Sequence, residues 1–282
     1  MIDNVKNLSI SKSCSTLGVS RSSYYKWKNK KLTLVDDTAL IKEIEGIILE
    51  FPFYGYRRVT KELHRRGIKI NHKKILKIME EENLLCRRKK AFKPVTTQSN
   101  HDLNIYPNLI KGIKVTGLNQ VWVADITYIG LPNEFIYLAA MIDIFSRKCI
   151  GWALSRNIDT LLTLDALRMA ISKRKSLGLN RLIHHSDRGA QYASSDYVEL
   201  LRKYGIKISM SRSGNPYDNA YMESFNKTIK VEEVYINEYE TFEDAYRNIK
   251  HFIELVYNKK RIHSGIGYIT PEEFEMEVLA KI

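Results

Sequence analysis

The sequence predicts an α/β core, a mixed five-stranded sheet flanked by helices, preceded by an α-helical region with the outline of paired helix-turn-helix units. Three consecutive runs rich in β-branched and aromatic residues, followed by alternating helical and extended patterns, indicate the core. Helical periodicity broken by Gly and Pro indicates the first region. Charge divides the chain at the same place. Over residues 1–115 there are 24 Lys and Arg against 11 Asp and Glu, whereas residues 116–282 carry 21 of each. The whole net charge of +13 therefore lies in the first two-fifths, as expected of a part that meets a polyanion, joined to a part that does something else. A basic surface that serves solubility alone would look the same.

From Ser9 to Lys28 the sequence reads as a short helix, a Leu17-Gly18-Val19 turn and a second helix capped by Ser20. A helical pattern over 38–50 is interrupted by Pro52. A helix then runs from Tyr54 through Arg57, Arg58 and Val59 to Arg66 and ends at Gly67. Asn71 caps the next helix, in which Ile75, Ile78 and Met79 form the apolar face and His72, Lys73, Lys74 and Lys77 the other. That basic face suits phosphates or a DNA groove, as the second helix of a helix-turn-helix does, or it is a solvated helix face. A basic run, Arg87-Arg88-Lys89-Lys90 and Lys93, leads into an aperiodic polar stretch read as a linker. The domain reading is 1–35 for a first helix-turn-helix-like segment, 36–95 for a helix-turn-helix DNA-binding domain, 96–115 for the linker and 116–282 for the core with a C-terminal helical extension.

Residues 120–130, 135–143 and 148–154 are predicted strands joined by short turns, an antiparallel meander. A helix over about 160–174, a strand at 181–185, a helix near 194–204, a strand at 206–210 and a helix from about 218 follow. This is the element order of an RNase H-like fold. Cys14, Cys86 and Cys149 are odd in number and far apart, with no C-x-x-C pair for zinc or redox chemistry. The N-terminus lacks the pattern of a signal peptide, and the most apolar stretch, 135–145, is too short for a bilayer and broken by Asp143. The expectation is a soluble, cytoplasmic protein, nucleoid-associated if it binds DNA, with no membrane contact.

Three carboxylates stand where chemistry is expected. Asp125 lies mid-strand and by alternation shares a face with Val121, Val123, Thr127 and Ile129. A buried carboxylate there needs compensation, and a metal ion, a basic partner or exposure at a sheet edge would each serve. Asp187 follows the fourth strand, a position that suits either a ligand-binding loop or a turn. Glu223 falls early in the last core helix, where Asn219, Glu223, Asn226 or Lys227, and Lys230 recur on one face. That face fits a site, or a solvated surface with Glu223 paired to Lys227. Together the three offer the hard oxygen ligands that Mg²⁺ prefers, and paired ions can drive in-line displacement at phosphorus.

Between Asp187 and Glu223 lie 35 residues. This Asp, Asp, Glu pattern resembles the signature of retroviral integrases and related transposases. More narrowly, WVADITYI, IDIFSRKCIGW, HSDRGAQY, SGNPYDNAYMESFN and YNKKRIHSGIGYITPEEF are similar, in order, to motifs of the OrfB transposases of the bacterial insertion-sequence-three family. YGYRRVTKELHRRGIKINHKKILKIMEEENLL resembles their helix-turn-helix region, so the likeness spans about residues 15 to 275. The resemblance implies that Asp125, Asp187 and Glu223 are the catalytic metal ligands, for two Mg²⁺ ions replaceable by Mn²⁺. It also implies that Lys230 contacts element-end DNA. Ile262 departs from a family proline, and Asp143, the rival carboxylate, matches a family Asp not usually assigned as a ligand.

The implied function is a DNA transposase that cleaves and joins strands at insertion-sequence ends. Arg57, Arg58, His72, Lys73, Lys74, Lys77, Lys227 and Lys230 are the expected DNA contacts. The expected partners are double-stranded DNA, further copies of the chain, and an upstream-frame OrfA product by fusion or association. Two other readings share the fold: a DNA-binding regulator with a non-catalytic scaffold, and a ribonuclease H or Holliday-junction nuclease, which leaves the N-terminal helices unexplained.

Overall fold

A computed structural model describes residues 9–32, 37–86, 104–212 and 219–281. It divides into two compact units, Met1–Cys86 and Arg87–Ile282. In the first, α1 (Ile10–Thr16) and α2 (Arg21–Leu32) form a pair. The Ser20 hydroxyl accepts the Ser23 amide at 3.0 Å, capping α2. Then come α3 (Thr38–Glu50), α4 (Tyr56–Arg65) and α5 (His72–Glu81). The left-handed Gly67 (φ 85°) ends α4, and the Asn71 side chain accepts the Lys73 amide at 2.9 Å to start α5. Ile44, Ile47, Val59, Leu63, Ile75 and Met79 are buried, one apolar stripe from each of α3, α4 and α5.

The second unit is built on a five-stranded sheet in the order β3-β2-β1-β4-β5. β1 (Val121–Gly130), β2 (Phe135–Asp143) and β3 (Cys149–Ser155) form the antiparallel meander. β4 (Ile183–Ser186) runs parallel to β1, and β5 (Lys207–Met210) parallel to β4. The crossover from β3 to β4 is α6 (Thr160–Arg174), while the four-residue α7 (Ala190–Ala193) and α8 (Ser195–Lys203) join β4 to β5. Beyond β5 come α9 (Ala220–Ile229), α10 (Phe242–His251) and α11 (Pro271–Leu279), the first two continued by π-helical stretches at Lys230–Val234 and Phe252–Lys260.

Strand alternation sorts the core onto two sides of the sheet. Trp122, Ala124 and Met141 pack with α6 and α8 through Leu164, Leu167, Ala170, Tyr197 and Leu201. Val121, Val123 and Ile129 pack with α9 and α10 through Met222, Phe225, Ile229 and Ile249. α6 lies so close to β3 that a Cβ at Gly151 would sit 2.2 Å from the Ala166 carbonyl oxygen, so no other residue fits there. α11 opens with a capping box between Thr270 and Glu273. Its buried Glu275 pairs with Arg174 of α6, accepts the Ser146 hydroxyl at 2.7 Å and meets Lys148 at 3.1 Å.

One boundary differs from the reading of the sequence. Residues 104–115, expected as linker, lie along the second unit. Tyr106, Ile110 and Val115 pack against its two cores, and the Leu109 amide donates to Ser209 Oγ at 2.8 Å. Their apolar residues follow neither a helical nor a strand period, because the segment is an irregular wrap held mainly by packing against distant parts of the chain. The remaining linker positions, the basic run 87–90 with Lys93, and the loop 213–218 lie outside the described residues. Among the described residues no helix is long and apolar enough to cross a membrane.

Candidate active site

Asp125 stands on β1, in the middle of the sheet, with Ala140 opposite it on β2. On the other side β1 pairs in parallel with β4, Val123 beside His185. Two residues further along each strand direction come Asp125 and Asp187, so the parallel register brings the two aspartates level. A turn holds Asp187: its Oδ1 accepts the Gly189 amide at 2.9 Å, and its carbonyl accepts the Ser186 hydroxyl at 3.0 Å. His185, buried between Ser209 Oγ at 2.8 Å and Ser211 Oγ at 2.9 Å, fixes the end of β4 against β5.

Glu223 is delivered by α9, which two asparagines pin to β1. Asn219 Nδ2 donates to the Ala124 carbonyl at 3.1 Å, and Asn226 Nδ2 donates to Asp125 Oδ2 at 2.8 Å. Asn219 and Asn226 are two helical turns apart, so Glu223, four residues after one and three before the other, shares their face. It lies in the first turn, where the helix dipole favours a carboxylate, and is exposed. Lys230 continues the stripe. Its Nζ sits 3.9 Å from the centre of the Tyr128 ring. Burial lowers the Lys230 pKa, opposed by the charge of Asp125.

These charges are felt at Asp125, whose pKa is pushed up to about 8. Burial is the largest cause, the charge of Asp187 the next, and Glu223 adds to it, while the Ile126 amide and Lys230 act in the other direction. Among the described residues no three His, Cys, Asp or Glu side chains are gathered closely enough to enclose an ion by themselves. The donor set nevertheless fits Mg²⁺, which keeps several waters and takes one or two carboxylates plus phosphate oxygens rather than a closed protein cage. A carboxylate whose proton affinity is raised by neighbouring negative charges, as at Asp125, is also one whose repulsion a divalent cation relieves.

Asp143 is fully buried and accepts the amides of Asn119 and Phe145 at 2.8 and 2.9 Å. It is a structural carboxylate that fastens the turn after β2. Lys227 is exposed and, one residue past Asn226, lies about 100° off the Asn219–Glu223–Asn226 stripe. In the first unit Arg57, His72, Lys73 and Lys77 are exposed, and Arg58 is half-buried. The Arg57 and Arg58 guanidiniums lie over the rings of Tyr56 and Tyr54, and the His72 ring stacks on Tyr56. Lys74 is committed to Asp37 at 2.5 Å, and Lys77 meets Glu81 at 3.3 Å. Such exposed pairs hold weakly and exchange readily for phosphate. Reading the sequence did not single out the role of Asn226 toward Asp125 or the ring beneath Lys230. The spacing 219, 223, 226, 230 was the available signal for the first.

The chain matches the family model of an HTH-like domain over residues 35–92. Two models of the integrase core domain match over 116–216 and 204–271. A 31 kDa protein of insertion element IS600 from Shigella sonnei is 38% identical, covering 93% of this chain and 96% of that protein. The transposase of IS904 from Lactococcus lactis is 42% identical over 79% of this chain and 87% of its own length. The transposase InsF of IS3A from Escherichia coli is 34% identical over 96% of each. Among solved structures, the HTLV-2 integrase catalytic core in complex with magnesium aligns at 19% identity with a TM-score of 0.42, covering 55% of this chain and 95% of that one. The BIV integrase core aligns at 21% with a TM-score of 0.43, over 58% and 97%. With identity above 30% along nearly its whole length, the chain belongs to the family of IS3-type insertion-sequence transposases, in which an HTH-like domain precedes a metal-dependent integrase core.

Proposed function

We propose that the chain cuts a DNA strand at the end of its element by hydrolysis and then joins the freed 3′-hydroxyl to a second phosphodiester, with Asp125, Asp187 and Glu223 as the metal ligands. The observation that carries this reading is the tether from α9 to β1, through Asn219 and Asn226, which places Glu223 on the face turned toward Asp125 while the β1–β4 register aligns Asp187. In each step an oxygen attacks phosphorus and another oxygen leaves, water serving as nucleophile first and the 3′-hydroxyl second. No redox partner or covalent enzyme intermediate is needed. Two Mg²⁺ ions, or Mn²⁺ in their place, would be held by the three carboxylates and would activate the attacking oxygen and stabilise the leaving one. The protein's own part is positioning: Asn226 fixes Asp125 Oδ2, and Lys230, held on Tyr128, offers a cation to a phosphate at the edge of the site.

Residues 36–95 would read the element ends through α4 and α5, with Arg57, Arg58, His72, Lys73, Lys74 and Lys77 on phosphates or bases, and 116–282 would act on the strand, Lys227 and Lys230 contacting it. The partners in this reading are element ends and target DNA, further copies of the chain on paired ends, and an OrfA product, in the cytoplasm. Joining one end near the other on the same strand would give a circular intermediate. The test is strand cleavage and joining on oligonucleotides carrying the element's own ends with Mg²⁺ or Mn²⁺. Asp125→Asn, Asp187→Asn and Glu223→Gln should each nearly abolish both steps while end binding survives. Retention of more than about a tenth of wild-type joining, a loss under ~1.4 kcal/mol, removes that residue from the site.

A further inference from the structure

The second unit carries a basic groove away from the carboxylates. Its cavity of about 640 Å³ is bounded by the wrap at 110–115, the end of β2, the start of α9 and α11. Lys111, Lys114 and Arg147 line it, and none of its described lining residues is a carboxylate. Among the described residues none of the three cations pairs with an acid. The unit as a whole, residues 87–282, carries 28 Lys and Arg against 22 Asp and Glu, so a concavity lined by three cations and no carboxylate is more basic than the unit's average composition. Three cations sharing one concavity repel one another and favour a bound anion.

Arg147 is built into this place. Its backbone is left-handed (φ 65°), a conformation that a residue with a long side chain rarely adopts. Its guanidinium lies 4.1 Å from the centre of the Tyr221 ring. A Cβ added to Gly265 would stand 3.4 Å from Arg147 Nη2, so a bulky residue there would crowd the guanidinium. A guanidinium held over a ring keeps its N–H donors available, and such a fork can grip phosphate in two-point fashion.

The groove also has a fixed relation to the carboxylates. Tyr221 is two residues before Glu223 on α9, and Val121, which lines the groove, lies on the same face of β1 as Asp125. They are four residue steps apart along the strand, roughly 13 Å, or about four base steps of duplex at ~3.4 Å each. We infer that this groove is a second nucleic-acid site, in which Arg147 on Tyr221, with Lys111 and Lys114, holds the phosphate backbone of the DNA a few nucleotides from the scissile bond. The inference rests on the reading of the chain as a DNA strand transferase. It deepens that reading by giving the core its own grip on the strand, separate from that of the N-terminal helices. Duplex DNA is favoured over an acidic protein segment because the groove adjoins, along β1 and α9, the carboxylates that act on DNA in that reading.

The test uses the full-length chain and a labelled random-sequence duplex. Lys111→Gln, Lys114→Gln and Arg147→Gln combined should flatten the dependence of log affinity on log salt by up to about 2.7, near 0.9 for each lost phosphate contact. Arg147→Lys should keep the charge contribution to that slope yet weaken binding, because the stacked fork is lost. A photoreactive residue replacing the half-exposed Ile113 should crosslink to the duplex at low salt and cease to do so at high salt; the same residue at Lys73 reports on the N-terminal helices. An unchanged slope, or no DNA adduct at position 113 while position 73 gives one, overturns the inference. So does a position-113 adduct to a second copy of the chain that added duplex does not diminish. If groove variants bind and join like wild type, this inference alone fails. If wild-type protein joins no DNA, the proposed function fails, and the crosslink still reports on the groove.

Discussion

With Asp125 as a metal ligand, as proposed, the affinity of the site for magnesium becomes a function of pH, and the size of the effect follows from the surroundings of that carboxyl. Its carboxyl is pushed from 3.8 up to about 8 by burial first and then by Asp187 and Glu223. A metal ion binds the ionised form, so below pH 8 it must displace a proton. About one molecule in a hundred is ionised at pH 6 and about half at pH 8, so apparent Mg²⁺ affinity should rise up to roughly fiftyfold over that interval. Because the folded-state pKa is raised, proton binding stabilises the fold fully below 3.8, and that contribution is lost as pH rises through about 8. Metal-free protein should therefore lose a few kcal/mol between these limits, and Mg²⁺ should restore more of it at pH 8 than at pH 6. Thermal unfolding of the full chain, with and without Mg²⁺ at pH 6, 7 and 8, measures this directly, with Asp125→Asn as the variant in which the pH dependence should disappear. An Mg²⁺-induced shift that is the same at pH 6 and pH 8 in wild type would refute the argument that Asp125 is both the proton's site and the metal's.

Asn226→Ala should leave the fold intact and slow joining by about 10- to 150-fold, the worth of a hydrogen bond to a charged group, ~1.5–3 kcal/mol. The acidic limb of its pH–rate profile should also move upward, since the donor to Asp125 Oδ2 is gone; an unmoved limb would assign Asn226 to packing alone. Glu275→Ala leaves Arg174 buried without its carboxylate and should cost about 3–5 kcal/mol, read as a lowered unfolding temperature. Recovery of most of that loss in Arg174→Met/Glu275→Leu would locate the cost in the uncompensated charge, and a further fall would argue against it. Neutralising Lys73, Lys74 and Lys77 together should weaken binding to every duplex and flatten the salt slope by up to about three. Lys74 is expected to contribute least because Asp37 already holds it. An unchanged slope would shift DNA reading to the segment around Arg21 to Lys28.

Much of this molecule was legible before any coordinates. The meander, the crossover helix and the N-terminal helices follow from local rules: alternation on a pleated strand, an apolar stripe on each helix, Gly67 and Asn71 as helix boundaries. The charge division along the chain, and the 35 residues between Asp187 and Glu223, are likewise properties of the string itself. Pairing across space is different in kind. That Asp187 comes level with Asp125 depends on β4 lying parallel beside β1, and that Asn226 rather than Lys227 faces Asp125 depends on the rotation of α9 about its own axis. The segment 104–115 read as linker because an irregular wrap has no period to reveal it; only packing against two apolar cores decides its path. Nothing in the sequence singles out Arg147, and it takes α9 and the Gly265 loop, more than 70 residues further on, to seat it. Sequence alone thus determined which elements form and which residues carry charge or ligand atoms, because those follow from neighbours along the chain. Tertiary structure decided which of those residues meet, because the energies that bring them together come from burial and hydrogen bonds between segments that the linear order keeps apart.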